Sequence, residues 1–114
     1  MTPDPPDEPL PELGSLQEYF AGRLPERLQE IEEAWRRVRE TAWGTEEVKV
    51  FHRLAHSLAG AGGTFGFAAV TDASRALERR LKATLQEQEP PMDAAEVEAL
   101  LAALRRAASP DSPA

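Results

Sequence analysis

The chain of 114 residues contains no cysteine. Disulfides and thiolate chemistry are thereby excluded, and a reducing compartment, the cytoplasm, is the expected setting. Histidine is almost as scarce, with only His52 and His56. Without a Cys/His cluster, no metal site is expected. Basic residues are the minority, 13 Lys and Arg against 20 Asp and Glu, for a net charge of −7. Such a surface repels a phosphate backbone, so nucleic acid is not an expected partner. No apolar run approaches the roughly 18 residues of a membrane span, so no membrane partner is expected either. The opening MTPDPPDEPLPEL has neither a basic region nor an apolar stretch, and a secretory signal is not expected.

Proline is unevenly spread. Five of the ten lie in the first 12 residues, together with four acids. That composition predicts a disordered tail over 1–12. The closing SPDSPA predicts a frayed tail over 109–114. One domain is expected between them, over 13–108.

Within that domain no segment alternates as a strand would. Leu13, Leu16, Phe20 and Leu24 recur every three to four residues, which predicts a short first helix. Pro25 suits the first turn of a longer helix, where its missing N–H costs little. Leu24, Leu28, Ile31, Trp35, Val38 and Ala42 form that helix's apolar stripe, with Glu32–Arg36 and Glu33–Arg37 paired on the opposite face. Gly44 breaks the pattern. Thr45 reads as the next N-cap, and Val48, Phe51, Ala55, Leu58, Gly62 and Phe65 as the next stripe. Val70, Ala73, Leu77, Leu81 and Leu85 make a further one. Asp93 caps a last helix facing inward through Val97, Leu100, Leu101, Leu104 and Ala108. The predicted fold is all-α, an antiparallel up-down four-helix bundle with a short additional N-terminal helix. The large aromatics Trp35, Trp43 and Phe65 read as core or junction residues.

One stretch resists this reading. HSLAGAGGTFGF, His56 to Phe67, carries four glycines in a helical context. Each glycine inside a helix costs about 0.5–1 kcal/mol relative to alanine. With Phe51 set at 0° and about 100° per residue, Gly62 lies at about 20°, in the core stripe, and Gly66 falls at the junction. Gly60 and Gly63 lie at about 180° and 120°, outside it, beside His56 at about 140°. Ala59, at about 80°, counts with them as a small neighbour. Lys49, His52 and Arg53 stand one turn earlier on the same side, and His52 by itself reads as an ordinary surface histidine. Helix stability spent without structural gain points to a functional surface. Ser57 points away from His56, so a serine–histidine pair is not expected. A lone accessible imidazole is itself a nucleophile, suited to taking a phosphoryl group from a partner.

The run Arg53-Leu54-Ala55-His56-Ser57-Leu58-Ala59-Gly60, with Gly63 and Gly66 beyond it, resembles the signature of histidine-containing phosphotransfer (HPt) domains, roughly R-x-A-H-x-L-K-G. Leu24-Pro25-Glu26-Arg27-Leu28 and Val70…Ala76-Leu77-Glu78 resemble the flanking helices of that family. The likeness spans 13–108. It implies a stoichiometric phosphoryl carrier rather than an enzyme, in a bacterial two-component phosphorelay, with His56 as phospho-acceptor. His52, Arg53, Lys49, Ala59, Gly60 and Gly63 would form the docking face. The partners implied are the receiver domain of a response regulator, a hybrid sensor histidine kinase, or both. No cofactor of its own is implied, Mg²⁺ belonging to the receiver, and a monomer is the expected state. The chain departs from the pattern at Ala59, where the family carries lysine; Lys49 and Arg53 are the candidates to replace that charge. The departure motivates an alternative, a docking or adaptor module that binds a receiver or kinase without efficient transfer.

Overall fold

Four helices account for nearly all of residues 13–109, the part of the chain that the computed structural model describes, and no strand occurs among them. The tail expected over 1–12, and all of the tail expected over 109–114 except Ser109, lie outside the described residues.

Helix α1 runs unbroken over Leu13–Glu40, with Pro25 inside it. The sequence predicts a short helix and a longer one here; the structure joins them. Phe20 and Leu24 before the proline, and Ile31, Trp35 and Val38 after it, are all buried along the helix. The apolar stripe therefore never changes phase. Pro25 forfeits one hydrogen bond, to the carbonyl of Ala21, and both residues are exposed, so that carbonyl lies on the solvent side.

The α1 stripe stops short of Ala42. Ala42 and Trp43 take positive φ values of 50° and 63° in the turn. The Trp43 N–H donates to the Val38 carbonyl at 2.8 Å, and its ring meets Trp35 edge-on at 5.8 Å. Helix α2, Thr45–Phe65, starts after Gly44 with no side-chain cap. Thr45 is its first helical residue rather than its cap. Thr41 Oγ1 serves the turn instead, donating to the Arg37 carbonyl at 2.9 Å and accepting from the Gly44 N–H at 3.2 Å.

Helix α2 ends at Gly66, whose φ of 82° is the left-handed conformation that glycine adopts freely. The Phe67 N–H closes the turn onto the Gly62 carbonyl at 2.7 Å. Helix α3, Ala68–Leu85, doubles back along α2. A Cβ on Gly62 would lie 2.7 Å from Thr71 Oγ1, so the close crossing of the two helices requires glycine there. The α1 start covers this turn, where Phe20 stacks on Phe65 at 5.2 Å and Gln17 donates to the Phe65 carbonyl at 2.8 Å.

Asp93 caps helix α4, Ala94–Ala107, by accepting from the Glu96 N–H at 2.8 Å. Arg80 joins α3 to α4 through Glu96 at 2.7 Å. Arg105 and Glu32 close α4 onto α1 at 2.6 Å, with Trp35 Nε1 donating to Glu98 at 2.8 Å. Glu32 thus pairs across helices rather than with Arg36, which meets Glu33 and Glu40 instead. Phe51, Leu58, Leu77, Leu81, Leu101 and Leu104 fill the interior almost completely shielded from solvent.

Candidate functional site

The two sides of α2 divide as its periodicity requires. Val48, Phe51, Ala55, Leu58 and Gly62 are buried. His56 faces outward with 69% of its side chain exposed. Among the described residues a Cβ on Gly60 would meet nothing within 4 Å, and one on Gly63 only Thr71 Oγ1 at 3.8 Å. Neither glycine is demanded by the packing. Lys49, His52, Arg53 and His56 line a groove of about 280 Å³ that ends on Leu85 of α3. Lys49 and Arg53 are exposed there, with Lys49 3.5 Å from Glu46.

The decisive partner comes from α3. Doubling back from Gly66, α3 brings Glu78 beside His56, with Oε2 2.6 Å from Nδ1. An ionised carboxylate only accepts hydrogen bonds, so the proton of the neutral ring sits on Nδ1. Nε2 then keeps its lone pair, on the nitrogen across the ring from Glu78. The ring as a whole is 69% exposed, and the carboxylate holds its Nδ1 side.

His52, one turn before His56, shares the arrangement. The two imidazoles lie nearly parallel, 18° apart with centroids at 6.2 Å. His52 Nε2 is 3.7 Å from the same Glu78 oxygen. Its side chain is only 25% exposed, so it is not the ordinary surface histidine that the sequence suggests. Burial lowers its pKa below the usual imidazole value; the Glu78 carboxylate pulls it back up, while His56 and Lys82 add to the lowering.

Ala59 departs from expectation. It is 3% exposed, and its carbonyl accepts from Thr71 Oγ1 at 3.3 Å, beneath α3. It therefore clears no space beside His56. An angle of about 80° puts a residue at the edge of the stripe, and the path of the neighbouring helix decides whether that edge is covered. Glu78 is the site residue that periodicity misses. The signal available was an acid directly after the inward Leu77, on the helix that pairs with α2. Among the described residues no group of three or more His, Cys, Asp or Glu is placed to hold a metal ion. No helix among them is long and apolar enough to cross a membrane.

Comparison with known proteins identifies the family. The family model of the Hpt domain matches residues 15–109, most of the chain. Neither the curated proteins nor the solved structures provide a significant match.

Proposed function

The chain belongs to the Hpt domain family, and on that premise we propose that it carries phosphoryl groups on His56 between aspartates of receiver domains in two-component signalling. The observation that supports this best is the exposed His56 ring with Nδ1 tied to Glu78 at 2.6 Å.

The chemistry follows from that hydrogen bond. The Nε2 lone pair attacks the phosphorus of a receiver's phosphoaspartate. The N–P bond forms as the P–O bond breaks, and the electron pair leaves on the aspartate oxygen. The Nδ1 proton stays in place, so the ring becomes a phosphorylated imidazolium. Glu78 lies against the nitrogen that shares the new positive charge and stabilises it. In the return step the leaving group is neutral imidazole, because Nδ1 has kept its proton. Lys49 and Arg53 supply positive charge near the phosphoryl oxygens, and Gly60 and Gly63 let the receiver approach.

The test is incubation of the full chain with a phosphorylated receiver. Wild type should gain an acid-labile, base-stable phosphate, and His56→Ala should gain none. Undiminished label on His56→Ala would sink the proposal. A hydrogen bond to a charged group is worth about 1.5–3 kcal/mol, so Glu78→Gln should slow uptake by about ten- to a hundredfold. Tight receiver binding with no transfer in wild type would make the chain a docking module.

A further inference from the structure

His52 Nε2 is shielded from solvent and has no hydrogen-bond partner among the described residues. A buried imidazole nitrogen without a partner is costly, and native structures rarely leave one. The acceptor facing it is Glu78 Oε2 at 3.7 Å, the atom that also receives the His56 proton. That separation is about 0.5 Å beyond hydrogen-bond range, a gap that a small side-chain rotation closes. We propose that His52 is a positioning residue for the acceptor histidine: its Nε2–H donates to Glu78, so that one carboxylate is held between two stacked imidazoles and is fixed where it sets the His56 tautomer.

Three features support this arrangement. The rings are nearly parallel, which presents both toward the same α3 side chain. Burial favours the neutral form of His52 near neutral pH. A neutral imidazole carries a single N–H, and placing it on Nε2 satisfies the buried atom. The Glu78 side chain is itself only 20% exposed, so a second donor restricts it further. Lys49 and Arg53 of α2 also line the groove, Glu46 pairs with Lys49, and Lys82 of α3 acts on His52 through its charge. Among the described residues Glu78 forms its ion pairs with the two histidines. Without His52, the ring that the carboxylate has to orient would be its one anchor among the described residues.

The consequence for phosphotransfer rests on His56 being the acceptor, but the primary readout does not. In the full chain labelled with ¹⁵N-histidine, ring nitrogen shifts report each tautomer directly. The expected wild-type result is Nδ1–H on His56 and Nε2–H on His52. His52→Phe keeps a stacking ring and loses the donor. It should raise the Nε2–H population of His56 by about two- to tenfold, the range of one neutral hydrogen bond. His52→Gln, which restores an N–H donor, should return the population toward wild type. Uptake rates should follow the same order. An unchanged His56 tautomer in His52→Phe, with a shift in Glu78→Gln, would overturn the proposal. Should His52→Phe fail to fold, Nδ1–H on His52 in the wild-type spectrum would overturn it equally. The predicted tautomer shifts in a chain that takes no phosphate would uphold the arrangement and sink the carrier function alone.

Discussion

Gly60 and Gly62 stand two residues apart on α2 under opposite constraints. Around Gly62 there is no room: Thr71 Oγ1 would lie 2.7 Å from an added Cβ and the Thr71 backbone nitrogen 3.3 Å. A Cβ added on Gly60 would meet nothing within 4 Å among the described residues. The first glycine is required by the chain's own packing against α3. The second gives up helix stability with no return inside the molecule. Counted together they look like a weak helix. Separated by face, one is architecture and the other leaves open space on the side of an exposed imidazole.

Substitution should split the pair cleanly. Gly62→Val forces atoms against Thr71, and overpacking of this kind costs about 1–3 kcal/mol. In a domain of this size each kcal/mol lowers the melting temperature by about 4–8 °C. Thermal denaturation checks it, and an unchanged Tm would mean that α2 and α3 separate at little cost. Gly60→Ala should do the reverse and stabilise the fold by about 0.5–1 kcal/mol. Gly60→Leu should also fold, yet slow phosphoryl uptake by roughly tenfold or more, because small misplacements at a transfer site are costly. Full-speed transfer in Gly60→Leu would remove the reason given for that glycine.

The sequence makes most of the fold legible, and the failures share a cause. Stripes such as Phe51, Ala55 and Leu58, or Leu77 and Leu81, come directly from helical period. Asp93 is a cap where local chemistry predicts one. Pro25 misleads because a proline suggests a boundary, whereas the buried stripe on either side of it carries α1 through. Ala59 and Glu78 are harder. Both depend on the register of α3 against α2, which neither helix encodes alone. His56, Gly60 and Gly63 were legible because exposure on one helix is a local property. The carboxylate that orients His56 was not, since it lies 22 residues away and arrives by packing.

The smallest expected effect concerns His52, which stands between the two faces, half-buried beside an exposed site. Burial, the largest influence on it, lowers its pKa from the ordinary 6.5. In the unfolded chain it takes up a proton at the ordinary value. Below pH 6.5 the unfolded state therefore binds more protons than the folded one. The stabilising contribution is complete above that pH and is lost as pH falls through the lowered folded value. Glu33 and Glu96 are also lowered, by Arg36 and Arg80, but from 4.5, so their losses fall at more acidic pH. Denaturation of wild type should show stability declining just below pH 6.5, and His52→Gln should flatten that part of the curve while leaving the more acidic part. Equal slopes in the two proteins would show that burial of His52 carries no proton-linked cost, and would place its ring with the exposed face of α2 rather than between the two.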